Sequence, residues 1–423
     1  MKIKEKQSSY SAVMAMEREK HRYPKRQSAA ARMILKLASA PEMRATGFSF
    51  TQEGMEKLGR DEPCLILMNH SSFTDLQITS TLFSDRQYHI VCTNDGFVGK
   101  NALMRWIGCI PTRKFEADPL LVKDLRCALV ELGSSVIMFP EASYSFDGSE
   151  TPLPESLGKL IRMLNVSVVT VRARGSFLRD PLYNNLQKRN VSVSAHVKYL
   201  LSPGDTKEKS AQEINGILAG EFRYDHFREQ HELGIRITEP FRADGLHRVL
   251  YKCPVCGCEG RMLGEGTVIR CLECGGAWEL GEDGVLKDSP YPYVTDWYRW
   301  ERQQVRSEIL RGTYRMEADV DIRILRDMKA VYLVGEGRLV HDCSGFHLTG
   351  CGGELEYSQS PKASYSLYAD YFWYEIGDMI SIGDHKAQYY CFPKDQSSAI
   401  VAKARLACEE MYSISRGRKG EIR

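Results

Sequence analysis

The sequence predicts an α/β domain with a largely buried sheet, then a short cysteine ribbon, then a β-rich carboxyl-terminal domain closed by a helix. Three observations carry this. Between residues 60 and 240, short continuous apolar runs alternate with helical patterns, as strands covered on both faces require. Two Cys-x-x-Cys pairs stand in a Gly-rich segment at 250–282. Beyond Val320 the pattern becomes short strands separated by turn residues, with one helical segment at the end.

Composition bounds the answer. A chain of 423 residues suggests two to three domains, and 43% apolar with 26% charged residues is a globular balance that excludes a disordered, collagenous or coiled-coil chain. Lys+Arg 57 against Asp+Glu 55 leaves a net charge of +2, so any attraction to membranes or nucleic acid must be local. The opening Met1-Lys2-Ile3-Lys4-Glu5-Lys6 is charged and unlike a secretory signal. No apolar run approaches the roughly 20 residues of a membrane span. The expected compartment is therefore cytoplasmic and reducing, where the thirteen cysteines are metal ligands or core thiols rather than disulfides.

The elements follow in order. Residues 1–44 hold eleven Lys/Arg against four Glu, a local +7. Gln27 to Ala38 has helical spacing, ended by Pro41, and the region reads as a basic amphipathic helix. Such a helix either lies on an anionic membrane surface or packs on its own domain. An α/β domain is expected over 45–245, with strands at Cys64–Met68, His89–Cys92, Ile107–Pro111, Val136–Pro140, Val166–Val171 and Val191–Leu200. Helices are expected at Leu120–Leu132 and Ser156–Leu164. The ribbon occupies 250–282, and a helical linker lies within 290–312, with Thr295 capping Asp296–Leu310.

The β-rich domain spans 315–415. Its expected strands are Val320–Leu325, Ala330–Val334, Leu339–Asp342, Phe346–Thr349, Tyr365–Ala369, Phe372–Ile376, Met379–Ile382 and Ala387–Phe392. A helix at Gln396–Met411, capped by Asp395, closes it. In element order this end is similar to pleckstrin-homology-like domains. No internal repeat or low-complexity tract interrupts the chain.

The first chemical constellation is Asn69-His70-Ser71-Ser72-Phe73-Thr74-Asp75. A strand runs straight into His70, and a helical pattern follows, with Ser72 as N-cap and Asp75 three residues later. The carboxyl end of a strand is where α/β domains place ligand crevices. If the first helical turn brings Asp75 back under the imidazole, the carboxylate fixes one ring nitrogen and leaves the other free to take a proton. The structural alternative is that Asp75 only supports the helix start and His70 is a loop histidine.

Three further blocks follow: Gly108-Cys109-Ile110-Pro111-Thr112-Arg113-Lys114, Val136-Ile137-Met138-Phe139-Pro140-Glu141-Ala142-Ser143 and Val166-Ser167-Val168-Val169-Thr170-Val171. In this order and at these separations the four blocks resemble the glycerolipid acyltransferase family, typified by lysophosphatidic acid acyltransferases, over roughly residues 45–230. The resemblance implies a mixed sheet flanked by helices. It also implies His70 as general base, Asp75 as its orienter, Arg113 as the acceptor-phosphate contact and Glu141 as an acceptor-positioning group. Asn69 and Pro140 are carried over beside them as substrate-binding positions. Transfer from a thioester to an alcohol needs such a base, because the free hydroxyl is far too weak an acid at neutral pH. Arginine suits phosphate because its planar fork donates two parallel hydrogen bonds.

The third block departs from the family's Phe-Pro-Glu-Gly-Thr-Arg-Ser. The glycine is Ala142 and the arginine is Tyr144. A phosphate contact is thus missing, or supplied by Lys114, Lys159 or Arg172. Expected substrates are a lysophospholipid, by default 1-acylglycerol-3-phosphate, and acyl-CoA or acyl carrier protein as donor. Work on such lipids places the protein peripherally on the inner face of the cell membrane.

The second constellation is Cys253-Pro254-Val255-Cys256 and, after fourteen intervening residues, Cys271-Leu272-Glu273-Cys274. Two such knuckles resemble a zinc ribbon of the four-cysteine type, with Cys253, Cys256, Cys271 and Cys274 as ligands of a structural zinc. A closed site of four sulfurs leaves no position for chemistry. Arg261 and Arg270 face Glu259, Glu265, Glu273 and Glu279 in this segment, which lacks the charge that nucleic-acid binding needs. The competing reading for the whole chain is an interaction or lipid-binding protein with a degenerate first domain, its ribbon and β domain gripping a partner. The intact His70 and Asp75 oppose it.

Overall fold

The structure, a computed structural model, describes residues 2–116, 118–396 and 400–417. Seven strands form the first sheet, in the order Ser49–Glu53, Ser194–Leu201, Ser167–Arg174, Cys64–Met68, Ser135–Met138, Tyr88–Thr93 and Cys109–Thr112. Neighbours are parallel except Ser167–Arg174 against Ser194–Leu201, so the sheet is mixed, as expected. Cys64–Met68 lies at its centre and is buried along its whole length. Side chains alternate across a strand, and here both faces are covered. Cys64, Ile66 and Met68 enter one apolar cluster with Ile78 and Tyr88, while Leu65 and Leu67 enter another with Leu125 and Leu157. That is why the strand reads as a continuous apolar run. Ser49–Glu53, exposed at every residue, gave no such signal and was not anticipated.

The amino-terminal region holds more than the helix expected over Gln27–Ala38. Glu5–Gln7 is a strand that pairs in parallel with Val331–Leu333 of the carboxyl-terminal sheet. Tyr10–Ala15 is a short helix whose Val13 is buried in the carboxyl-terminal core. The main helix, Ala29–Ala45, is capped by Ser28 and packs on helix Thr74–Leu82. It does not end at Pro41. The proline sits on the exposed side, and the next two residues are anchored: Glu42 pairs with Arg179 and Lys188, and Met43 is in the core.

The ribbon is a three-stranded antiparallel sheet of Met262–Glu265, Val268–Cys271 and Ala277–Glu279. It shares one core with helix Val294–Leu310, the carboxyl-terminal sheet and the closing helix. Thr295 does not cap Val294–Leu310. Its hydroxyl donates to Asp225 at 2.8 Å, and Tyr293 holds the cap position.

The last sheet runs Leu355–Gln359, Gly345–Gly350, Val331–Asp342, Arg315–Leu325, Gln388–Pro393, Gly377–Gly383 and Tyr368–Trp373, with Glu5–Gln7 added beside Val331–Asp342. Three expectations are corrected. Ala330–Val334 and Leu339–Asp342 belong to one strand, because Gly335-Glu336-Gly337 stays paired with Arg315–Leu325, past a bulge at Val334 of the same strand, instead of turning. Phe372–Ile376 is mostly a turn: Phe372, Tyr374 and Glu375 have positive φ, a conformation that its aromatic composition conceals. Leu355–Gln359 is an additional strand. The closing helix is Ile400–Ser415, and the expected start at 396–399 falls largely on residues 397–399, outside the described ones.

Candidate active site

The central strand Cys64–Met68 delivers Asn69 and His70 to the carboxyl edge of the sheet. Asn69 is fully buried; its Oδ1 accepts from the Ala173 amide at 2.7 Å and its Nδ2 donates to the Ala173 carbonyl at 3.1 Å. This side chain clamps two strands together rather than facing substrate. His70 Nδ1 lies 3.1 Å from Asp75 Oδ2. The same oxygen accepts from the amides of Ser71 at 2.6 Å and Ser72 at 3.0 Å. Asp75 thus both supports the helix start and bonds to the imidazole. Ser72 is not the N-cap, a position held by Phe73, but its hydroxyl accepts from the Thr74 amide at 3.1 Å.

Because Asp75 is an acceptor only, the proton rests on Nδ1 and the lone pair on Nε2. Nε2 has no hydrogen-bond partner among the described residues. The ring stacks on Phe139 at 4.1 Å and meets Tyr144, tilted by 51°, at 4.3 Å, and its side chain is 15% exposed. Burial lowers the imidazole's pKa, against the opposing pull of Asp75, so the ring stays neutral near pH 7. A neutral imidazole with a fixed tautomer and one open nitrogen is a competent general base.

Strand Ser135–Met138 leads into the buried turn Phe139-Pro140-Glu141. Glu141 bonds to the chain itself. Oε2 accepts from the His70 amide at 2.8 Å, and Oε1 accepts from the Thr151 amide at 2.9 Å and from the Tyr224 hydroxyl at 2.8 Å. Glu141, expected as an acceptor-positioning group, here braces the backbone of His70. Pro140 is buried in the same turn. Ala142, where the family has glycine, adopts φ +58° and makes the turn despite its Cβ.

Sequence reasoning missed Tyr224 and its neighbour His226. His226 Nε2 lies 3.4 Å from Ser71 Oγ, and its ring stacks on Phe177. Both residues stand more than 80 positions from the loops they brace, so no local pattern marks them. Burial pushes the Glu141 carboxyl from its usual 4.5 up to about 7. A raised carboxyl pKa contributes stability at low pH that is lost as pH climbs through about 7. Tyr224→Phe removes a donor that matters most to the ionised form. It is expected to cost about 1–2 kcal/mol of stability at pH 8 and less at pH 5, by urea denaturation at the two pH values.

Arg113 and Lys114 follow strand Cys109–Thr112 and diverge. Arg113 Nη1 donates to the His385 carbonyl at 3.1 Å, on the turn between Gly377–Gly383 and Gln388–Pro393, and lies 3.6 Å from Glu116. Arg18 donates to the same carbonyl at 2.6 Å. The expected phosphate contact is therefore engaged with the carboxyl-terminal sheet. Of the substitutes for the missing third-block arginine, Arg172 is bound to Glu229 and Lys159 is exposed on helix Leu157–Leu164.

The four knuckle cysteines come together. Cys253 and Cys274 sulfurs are 3.7 Å apart, Cys256 and Cys271 3.8 Å, and all four lie within 4.8 Å of one another. Sulfurs bound tetrahedrally at 2.3 Å would be about 3.8 Å apart. The amides of Gly257 and Gly275, both at positive φ, each donate at 3.0 Å to the carbonyl of the first cysteine of their knuckle. The set is compatible with a metal ion. Cys258 stays outside it, with its sulfur on the Glu259 carbonyl at 3.8 Å.

Residues 49–174 match the family model described as acyltransferase. That stretch holds His70, Asp75, Arg113 and Glu141. The chloroplastic 1-acyl-sn-glycerol-3-phosphate acyltransferase of Brassica napus is 29% identical over 129 residues, which cover 29% of this chain and 37% of that protein. The chain thus spans little more than a third of that curated relative's length. Among solved structures, the 1-acyl-sn-glycerophosphate acyltransferase of Thermotoga maritima aligns at 17% identity with a TM-score of 0.33, over 46% of this chain and 81% of that one.

Proposed function

We propose, from the acyltransferase-family domain that residues 49–174 form, that this chain moves a fatty acyl group from a thioester to the hydroxyl of a lysophospholipid. The observation that carries the reading is the His70–Asp75 pair, 3.1 Å apart, with Nε2 open at the sheet edge. In the reaction, Nε2 takes the proton of the acceptor hydroxyl as its oxygen attacks the thioester carbonyl. The tetrahedral intermediate collapses, the C–S bond breaks, and the leaving sulfur receives the proton back from His70. The products are an ester and a free thiol. Asp75 holds the tautomer and stabilises the transient imidazolium.

The default acceptor is 1-acylglycerol-3-phosphate, giving phosphatidic acid, and the donor is acyl-CoA or acyl carrier protein. Incubating purified protein with each donor and separating the lipid products tests this. Formation of diacyl product supports the reading, and none with either donor refutes it. The alternative of a degenerate domain serving only as a binding module is disfavoured by the intact base, tautomer control and braced turn.

Both substrates are amphiphiles, which calls for contact with a bilayer. No described helix is long and apolar enough to cross one. Helix Ala29–Ala45 instead exposes Met33 at 56%, Ile34 at 51% and Leu37 at 64%, flanked by the exposed Lys36 and Arg44. Phe73, in the turn that carries His70, is 50% exposed. Apolar residues rimmed by cations suit an anionic interface. Met33→Asp/Ile34→Asp/Leu37→Asp is expected to lower binding to phosphatidylglycerol vesicles by tenfold or more, at roughly 1 kcal/mol or more per lost contact. Unchanged vesicle flotation would rule this face out. Point variants suit the test better than deleting residues 1–44, because Glu5–Gln7 is woven into the carboxyl-terminal sheet.

The ribbon is read as a zinc site that supports folding, held by Cys253, Cys256, Cys271 and Cys274.

A further inference from the structure

The two cations of the second block have different partners. Arg113 turns to the carboxyl-terminal domain and donates to the His385 carbonyl. Lys114 packs against a different strand of the same domain. Its ammonium sits 4.1 Å above the ring of Tyr368, on strand Tyr368–Trp373. No carboxylate lies within 4.0 Å of it, and no carbonyl accepts from it among the described residues.

The acids nearest to it do not neutralise it by contact. Asp95 is buried, and its carboxylate accepts from the Tyr368 hydroxyl at 2.6 Å, the Trp373 indole at 3.1 Å and the Gly96 amide at 3.1 Å. Asp370 acts on Lys114 only at a distance. The charge of Lys114 also contributes, after burial, to lowering the pKa of His70. A cation held in place over an aromatic ring, without a contact anion and within electrostatic reach of the base, is arranged to receive an anion.

Of the remaining candidates, Lys159 is exposed on helix Leu157–Leu164 and the others are engaged. Tyr144 stands where the family has an arginine and packs its tilted ring against His70. Arg172 is bound to Glu229, and Arg405, on the closing helix, to Glu409 at 3.2 Å. We propose that Lys114, rather than Arg113, holds the phosphate monoester of the acyl acceptor, in a subsite walled by Tyr368 of the carboxyl-terminal domain. This rests on the acyl-transfer reading and sharpens it: the appended domain takes over the usual arginine and forms part of the acceptor site.

The test compares KM for lysophosphatidate with KM for 1-monoacylglycerol, the same alcohol without phosphate, using the full chain. Lys114→Gln is expected to raise KM for lysophosphatidate about 10–100-fold, the range of a lost charge-assisted contact, and to leave monoacylglycerol little changed. Lys114→Arg should restore most of the difference. Arg113→Gln should lower thermal stability without moving the ratio of the two KM values. An unchanged ratio in Lys114→Gln, or the same rise in Arg113→Gln, overturns the proposal. If Lys114 serves only to balance Asp370, then Lys114→Gln and Asp370→Asn both lower the melting temperature and neither moves the ratio, which also overturns it. Should the wild-type chain acylate neither acceptor, the transfer reading fails, and titration of hexanoyl-lysophosphatidate into wild-type and Lys114→Gln protein still decides the subsite. Binding lost in the variant upholds it, and equal or absent binding refutes it.

Discussion

Replacing His70 with alanine is expected to slow acyl transfer about 10²–10⁴-fold, the usual contribution of a positioned general base. The fold should survive, because the ring lies at the sheet edge between Phe139 and Tyr144 and bridges no strands. The backbone contact that fixes the turn, from the His70 amide to Glu141, persists in the variant. Asp75→Asn should show a loss of similar order for a different reason. An amide at that position can donate to Nδ1, which moves the proton to Nε2 and removes the lone pair that catalysis needs. The pH–rate profile separates the two. In the wild type the rate should fall on acidification as His70 protonates. Because burial lowers its pKa, that fall is expected below the usual 6.5 of histidine. The asparagine variant should have a low, flattened profile. A His70→Ala protein of full activity would remove the imidazole from the mechanism.

Stripping metal from the four-cysteine site, or changing Cys271 to serine, is expected to have the largest effect on stability. The ribbon is small, and a segment of this size lacks the core to fold by itself. In isolated zinc-finger peptides the bound ion contributes about 10–16 kcal/mol of apparent binding energy at pH 7. Here the ribbon is packed into a larger core: Trp278 meets Trp297 edge to face at 5.1 Å, and Cys253 and Cys271 are buried in the same cluster as the carboxyl-terminal sheet. Loss of the site should therefore lower the melting temperature by 10 °C or more, a drop of several kcal/mol, and loosen the carboxyl-terminal domain with it. Elemental analysis should give one zinc per chain, falling to none in Cys271→Ser. A protein that holds no metal and melts unchanged after chelation would show that the knuckles stand without an ion.

What was legible in the sequence was local. His70 and Asp75 are five residues apart across a strand-to-helix turn, so their pairing follows from the turn. The knuckles follow from spacing, and the buried central strand from its apolar run. What was hidden depends on distant contacts. Sequence alone gives Glu141 an acceptor-positioning role and no sign of its partners, the His70 amide and Tyr224, which lie far away in sequence. The resemblance gives Arg113 a phosphate role, and nothing near it in sequence announces the His385 carbonyl, 272 positions away. The basic start of the chain reads as one amphipathic helix, yet Glu5–Gln7 completes a sheet whose other strands come more than 300 residues later. Phe372–Ile376 looks like a strand by composition, but its backbone lies in the left-handed region, which composition does not report.

The most direct measurement is lipid mass spectrometry of the purified chain offered a panel of lysolipids with acyl-CoA or acylated carrier protein. The structure leads us to expect diacyl product from lysophosphatidate, with one thiol released per ester formed and neither product from the His70→Ala protein. A panel in which no lysolipid gains an acyl chain, or in which His70→Ala matches the wild type, would contradict the account.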